Sequence, residues 1–114
     1  MTNKTIIKPW GKYIILEKKS NFWIKKLFVH RDARLSLQSH KNRSEFWIVL
    51  SGEIEVVKGR SNLKLRSGEF LEINKNEKHR ITGLKDSLIL EIALGKPRER
   101  DIIRFKDDYG RIKQ

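Results

Sequence analysis

The chain is 114 residues long, contains no cysteine, and carries 26 lysine and arginine residues against 14 acidic ones, a formal charge of +12. This length leaves room for one domain, and the absence of cysteine excludes disulfide bonds and thiolate metal ligands. No apolar run approaches the ~20 residues of a membrane span, and the first residues lack the apolar stretch of a signal peptide. We therefore expect a single cytoplasmic domain over residues 1–114, with no membrane partner.

Short runs of β-branched and aromatic residues recur along the chain, separated by turn residues such as glycine and asparagine. Such runs predict strands, whereas no stretch sustains the i, i+3, i+4, i+7 spacing of a long helix. The pattern predicts an all-β sandwich or barrel. We expect residues 8–94 to form it and residues 95–114 to be a C-terminal arm. In chain order, the predicted strands cover residues 13–16, 22–24, 27–29, 35–37, 46–50, 54–57, 63–65, 70–73 and 88–94.

The positive charge is dispersed over the whole chain. Lysine and arginine never occur more than two in a row, as in Lys18-Lys19 and Lys25-Lys26. Blocks of like charge are typical of interaction tails, whereas scattered charge is typical of a solvated surface. The sequence also lacks a helix of the kind that reads DNA bases in the major groove, and it lacks an RNA-binding motif of aromatic residues and glycine. The charge by itself therefore identifies no partner. A nucleic-acid binder is the least favoured of three functional hypotheses, and we expect no nucleic acid as partner.

Two of the three histidines lie in segments with a characteristic spacing of residues. The cupin motif G-x5-H-x-H-x4-E-x6-G corresponds to the segment around His40, and G-x5-P-x-G-x2-H-x3-N corresponds to the segment around His79. Every spacing is kept, although several residues differ, and the chain therefore resembles the cupin superfamily. The first motif falls on Asp32, Gln38, His40, Glu45 and Gly52, and the second on Gly68, Asn74, Asn76, His79 and Gly83.

This resemblance implies a cupin barrel, a double-stranded β-helix of the jelly-roll type, with one divalent metal ion inside. The implied ligands are Gln38, His40, Glu45 and His79. Their chemistry agrees with that role, because imidazole, carboxylate and amide oxygen together suit Zn, Mn, Fe, Co or Ni. Residues two apart on a strand also share a face, so Gln38 and His40 can point at one ion. The alternative is a cupin whose site has lost its metal.

Four segments of the chain indicate a resemblance to one particular family within the cupin superfamily. They are residues 8–13, 34–40, 45–52 and 101–111. They are similar to the C-terminal domain of type II mannose-6-phosphate isomerases, which is usually fused to mannose-1-phosphate guanylyltransferase. The resemblance implies an isomerase that interconverts mannose 6-phosphate and fructose 6-phosphate through an enediol, in polysaccharide precursor metabolism. The sequence holds no glycine-rich nucleotidyltransferase segment, so we expect no guanylyltransferase activity from these residues.

Candidate residues for the reaction follow from the same resemblance. Lys41 is a candidate proton carrier, Arg43 and Arg104 are candidates for binding the substrate phosphate, and Arg104 is also a candidate catalytic residue; the general base is not identified. Lys41, Asn42 and Phe46 replace histidines of the family and are expected beside the metal, which leaves the exact substrate open. A non-catalytic cupin that binds a sugar phosphate or nucleotide sugar is the alternative function.

We expect a homodimer, because small barrels often cover the exposed edges of their sheets by pairing with a second subunit.

Overall fold

The computed structural model describes residues 4–112, and every regular element in this range is a strand. The all-β prediction is confirmed. Within the described range there is no helix long and apolar enough to cross a membrane. The eleven strands are β1 (Lys4–Lys8), β2 (Gly11–Lys18), β3 (Phe22–Val29), β4 (Leu37–Ser39), β5 (Arg43–Ser51), β6 (Glu53–Lys58), β7 (Ser61–Arg66), β8 (Phe70–Ile73), β9 (His79–Gly83), β10 (Ser87–Gly95) and β11 (Ile103–Lys106).

The strands form two antiparallel sheets that face each other. The first sheet has the order β1-β2-β3-β10-β5-β8, and the second has the order β11-β4-β9-β6-β7. One buried cluster contains Trp47, Val49 and Ile89 from the first sheet and Ile54 and Ile81 from the second. Alternate residues of each strand therefore point into a shared core, as the period of two along a strand requires.

Two predicted strands turn out to be one. The runs at residues 22–24 and 27–29 belong to the single strand β3, in which Trp23, Lys25, Leu27 and Val29 are all buried. Lys25 interrupts the apolar pattern in the sequence, but it occupies an inward position of the strand. Its ammonium group lies 3.8 Å from the centre of the Trp23 ring and 4.2 Å from that of Tyr13. Cation–π contacts of this kind stabilise a desolvated charge.

The C-terminal arm contributes a strand of its own. Strand β11 pairs with β4 at the edge of the second sheet, and Arg104 lies opposite Gln38 in that ladder. Gln38 in turn lies opposite His79 in the ladder between β4 and β9. Residues directly opposite one another in antiparallel strands place their side chains on the same face. The arm therefore places a cation in line with two of the predicted metal ligands.

Gly11, at the start of β2, lies too close to β3 to accept a side chain. Its φ is +151°, and a Cβ atom there would lie 1.8 Å from the carbonyl oxygen of Phe28. We predict that Gly11→Ala lowers the free energy of unfolding by about 2–5 kcal/mol, because overlap adds to backbone strain. The matched control is Gly68→Ala, where φ is +88° but a Cβ would meet nothing within 4 Å. Strain alone should cost the control about 1–2 kcal/mol. Denaturant unfolding measures both, and equal losses would contradict the prediction.

Candidate metal centre

Three side chains with metal-binding atoms converge between the two sheets. They are His40 directly after β4, Glu45 in β5 and His79 at the start of β9, and all three are buried. The Nε2 atoms of the two histidines are 3.2 Å apart. Glu45 Oε2 is 3.4 Å from His40 Nε2, and Glu45 Oε1 is 4.0 Å from His79 Nε2. Three of the four predicted ligands therefore form one cluster.

Main-chain carbonyl groups determine which nitrogen of each imidazole is free. His40 Nδ1 lies 2.7 Å from the carbonyl oxygen of Asp101, and His79 Nδ1 lies 2.8 Å from that of Glu77. A carbonyl oxygen can only accept a hydrogen bond, so both Nδ1 atoms carry the proton. The two Nε2 atoms are then left with lone pairs that face each other and the carboxylate. Such a fixed tautomer is typical of histidines that ligate metals.

The spacing of these atoms fits a divalent ion. For metal–ligand bonds of about 2.1 Å, two ligand atoms lie about 3.0 Å apart at a right angle and about 3.4 Å apart at a tetrahedral angle. The two Nε2 atoms are 3.2 Å apart, and different oxygens of Glu45 lie 3.4 Å from His40 Nε2 and 4.0 Å from His79 Nε2, so the separations lie at or slightly above these values. The guanidinium of Arg43 contacts Glu45 Oε2 and lies 3.2 Å from His40 Nε2, so a positive charge already borders the cluster. The donor set present and its spacing are suited to a metal ion.

The ionisation states of the cluster also suit a metal ion. Burial, together with the positive charge of Arg43, lowers the pKa of His40 to about 4. Burial likewise lowers the pKa of His79. Burial opposes the charge of Glu45, but His40 and Arg43 outweigh it and lower the pKa of that carboxyl. Near neutral pH the cluster thus holds neutral imidazoles and a carboxylate, the forms that bind metal without releasing protons.

Arg43 is held against the metal cluster by several contacts. Its Nε donates to Glu45 Oε2 over 2.8 Å, its Nη1 donates to the carbonyl oxygen of Arg98 over 2.7 Å, and its Nη2 lies 3.2 Å from His40 Nε2. Its guanidinium carbon lies 4.5 Å from the centre of the Trp23 ring. These contacts fix its position beside the predicted ligands. Its role in binding substrate stays a prediction.

Gln38 and Arg104 line the same cavity as the metal cluster. The amide nitrogen of Gln38 donates to Ser36 Oγ over 3.0 Å. Its amide oxygen is then the atom suited to a cation. Arg104 is half-buried, and its Nε is buried without a hydrogen-bond partner. The structure therefore brings Gln38 and Arg104 to the cavity, and their roles as ligand and as catalytic or phosphate-binding residue stay predictions.

Two residues expected beside the metal lie elsewhere. Phe46 alternates with the inward residues Glu45 and Trp47, so it lies on the outer face of β5 and stacks on Phe70 with ring centres 5.4 Å apart. The expectation that Phe46 borders the metal is wrong, because one step along a strand reverses the face. Lys41 is exposed, and its main-chain amide donates to Asp101. It is not among the residues that line the cavity, and its role as proton carrier stays a prediction.

Glu91 is an acidic residue of the cavity that the sequence analysis missed. It is buried in β10, lies opposite Trp47 and Lys25 in the two neighbouring strands, and accepts a hydrogen bond from Trp23 Nε1 over 2.9 Å. Burial, and then the negative charge of Glu45, raise the pKa of Glu91 to about 7. The signal was present in the sequence, because a single acidic residue interrupts the apolar run of residues 88–94.

The two-sheet architecture and the histidine–carboxylate cluster together define the cupin class of protein. Among solved structures, KdgF from Halomonas sp. superposes with a TM-score of 0.77 over 85% of this chain and 90% of that chain, at 16% sequence identity. Identity this low supports the fold alone. The predicted cupin fold is confirmed, as two facing sheets.

The chain belongs to the family described as "Mannose-6-phosphate isomerase C-terminal", whose sequence profile matches residues 1–107. It is 36% identical over 112 residues to the xanthan biosynthesis protein XanB of Xanthomonas campestris, covering 96% of this chain and 24% of XanB. It is also 36% identical over 109 residues to the alginate biosynthesis protein AlgA of Pseudomonas putida, covering 93% of this chain and 22% of AlgA. The chain thus spans about a quarter of the length of these relatives.

The buried groups of the cavity predict how stability depends on pH. Between pH 5 and 6 the unfolded chain protonates His40 and His79, whose ordinary pKa is 6.5, while the folded chain keeps His40 neutral and burial lowers the pKa of His79. In this range the unfolded chain therefore binds at most two more protons at these histidines than the folded chain, and acidification favours unfolding. Glu91 acts in the opposite direction, because the folded chain retains a proton that the unfolded carboxyl, with an ordinary pKa of 4.5, releases. The histidines and Glu91 thus oppose each other, and each proton of difference between the unfolded and folded chain contributes about 1.4 kcal/mol per pH unit.

We therefore expect the free energy of unfolding of the metal-free protein to fall by at most about 1.4 kcal/mol from pH 6 to pH 5. In Glu91→Gln the opposing proton is absent, and the fall should be larger by about 1.4 kcal/mol. Glu72→Gln, at an exposed position of β8, is the control and should keep the original slope. Chemical denaturation at a series of pH values measures all three. Equal slopes in the protein and in Glu91→Gln would contradict the assignment of a retained proton to Glu91.

Proposed function

We propose that the chain is a metal-dependent sugar-phosphate isomerase that interconverts mannose 6-phosphate and fructose 6-phosphate. The observation that carries this proposal is the cluster of His40, Glu45 and His79, of which Glu45 and His79 line a cavity that cationic side chains also line. Membership of a family described by this activity supports the same reaction. A cation at the cluster and cations elsewhere in the cavity are what a phosphorylated sugar with a reacting carbonyl group needs.

The metal centre would be completed by Gln38. Its amide nitrogen is engaged by Ser36, which leaves the oxygen to act as a fourth ligand beside the two imidazoles and the carboxylate. A divalent ion held there would polarise the oxygens on carbons 1 and 2 of the sugar and stabilise the negative charge of the enediolate. Arg43 fixes the Glu45 carboxylate through its Nε and restricts how that ligand can rotate.

Glu91 is the residue that we propose for the proton transfer. In the open-chain aldose, its carboxylate would remove the proton on carbon 2; the electron pair of that bond would form the double bond between carbons 1 and 2, and the carbonyl electron pair would move to the oxygen on carbon 1. The hydroxyl proton on the oxygen of carbon 2 would pass to the oxygen of carbon 1, and the electron pair left behind would form the new carbonyl group at carbon 2. The carboxyl group would return its proton to carbon 1, which yields the ketose. A group whose pKa lies near neutrality can both accept and donate a proton at that pH. The hydrogen bond from Trp23 Nε1 orients the carboxyl group in the cavity.

The first test concerns the metal. The protein purified without chelator should hold one divalent ion per chain, and His79→Ala should weaken metal binding by at least about 100-fold, because it removes one of two imidazoles. The matched control is His30→Ala, because His30 is exposed and lies outside the cluster. Elemental analysis and titration with Zn²⁺, Mn²⁺ or Co²⁺ measure the outcome. No bound metal in the protein, or equal binding in His79→Ala, would refute the metal centre.

The second test concerns turnover. The metal-loaded protein should convert mannose 6-phosphate to fructose 6-phosphate, and Glu91→Gln should lower kcat by about 10²–10⁴-fold while retaining the metal. The Glu72→Gln variant controls for the loss of a carboxylate. Metal and sugar-phosphate binding without turnover in the unmodified protein would favour the alternative, a cupin that binds a sugar phosphate or nucleotide sugar without converting it.

A further inference from the structure

Three cationic side chains line the same cavity as the metal cluster and come from distant parts of the chain. Lys8 ends strand β1, Arg104 lies in β11, and Arg111 follows β11 in the C-terminal arm. They influence one another electrostatically. Burial lowers the pKa of Lys8, and the charges of Arg111 and Arg104 lower it further, against the opposing effect of Glu99. Burial and then Arg111 lower the pKa of Arg104. Like charges that influence one another in this way destabilise one another unless an anion lies between them.

The structure also leaves one of these groups without a partner. Arg104 Nε is buried and makes no hydrogen bond. A buried donor of this kind has lost its hydrogen bonds to water and has gained none in return. Arg104 lies opposite Gln38 and Gln38 lies opposite His79, so all three occupy one row across the second sheet. Two strand spacings, or about 10 Å, therefore separate the backbone at Arg104 from that at His79.

The acidic groups nearby do not neutralise the cluster. Asp107 binds Arg111 through both carboxylate oxygens, at 3.0 Å to Nε and 2.8 Å to Nη2. Glu99 forms an ion pair with Lys25. Counting Lys8, Arg104 and Arg111 against Asp107 gives three positive charges minus one negative charge, or +2. A phosphate monoester carries close to two negative charges near neutral pH and matches this sum.

The other cations of the cavity have partners within the protein. Arg80 donates from Nε to the carbonyl oxygen of Leu35 over 2.8 Å, and Arg43 is bound to Glu45 and to the carbonyl oxygen of Arg98. Lys25 is engaged by Glu99. A ligand entering the cavity would have to displace these contacts to bind Arg80, Arg43 or Lys25, as it would have to share Arg111 with Asp107. Arg104 Nε, by contrast, is free to donate.

We infer that Lys8, Arg104 and Arg111 form a binding site for the phosphate group of a phosphorylated sugar, in the cavity that Glu45 and His79 also line. The site deepens the proposed isomerase and rests on it for the identity of the sugar. It makes the terminal phosphate the feature that the cavity recognises, with the carbonyl end of the sugar directed to the metal cluster. It also extends the candidates for phosphate binding beyond Arg43 and Arg104.

Titration of the full chain with inorganic phosphate tests this inference without relying on turnover. Metal ions are first removed by dialysis, so that phosphate has no metal to bind. Calorimetry should detect one phosphate per chain, and Arg104→Gln and Lys8→Gln should each weaken its binding by about tenfold to a hundredfold. Lys64→Gln is the matched control, because Lys64 is exposed on β7 and lies outside the cavity. Circular dichroism and thermal unfolding would verify that each variant is folded.

The possible outcomes separate the phosphate site from the proposed reaction. Weaker phosphate binding in both variants and unchanged binding in Lys64→Gln would support the site. No phosphate binding by the unmodified chain, or unchanged binding in both cavity variants, would overturn it, even if the protein turns over mannose 6-phosphate. If the variants lose phosphate binding but the unmodified metal-loaded protein has no isomerase activity, the site stands and the proposed function fails.

Discussion

The buried carboxylate of Glu45 is the interaction on which the rest of the site depends. A charge removed from water is costly unless it is paired and hydrogen-bonded. Glu45 meets that condition through Arg43 at 2.8 Å and Trp47 Nε1 at 3.1 Å. Arg43, Glu45 and Trp47 are alternate residues of β5, so the period of the strand alone places all three on the inner face. The fold therefore stabilises the charge with the same strand that carries it.

The same alternation explains which parts of the site could be predicted. The motif spacings around His40 and His79 indicated, through the resemblance to cupins, three residues that the structure brings together, and the period of a strand explains only the part within each segment. The position of Phe46 could have been read by the same rule, since it lies one residue from the inward Glu45. The opposition of Gln38 and His79 is different, because the register between β4 and β9 depends on packing of the whole sheet. The local sequence of either strand does not determine this register.

Charged residues at inward strand positions were the main obstacle to prediction. Lys25 divides an apolar run that folds as one strand, and Glu91 lies within a run that reads as core. In both cases burial depends on partners far away in the chain: Glu99 for Lys25 and Trp23 for Glu91. A sequence-based estimate of burial treats each charge as solvated, because the compensating contact is not local. Departures from the apolar pattern inside a strand were therefore signs of the site.

The C-terminal arm acts as part of the site and not as an appendage. The main-chain carbonyl of Asp101 fixes the tautomer of His40, while its carboxylate accepts hydrogen bonds from the amides of Lys41 and Asn42 at 3.0 and 2.9 Å. The carbonyl of Arg98 holds Arg43. Because the arm also carries Arg104 in β11, one segment orients groups at the metal cluster and supplies a cation farther along the cavity. Its docking against β4 thus sets the position of Arg104 relative to the metal cluster. The hydrogen bonds from the arm to His40 and Arg43 have defined directions, so they fix the arm and the side chains of the cluster in one mutual orientation.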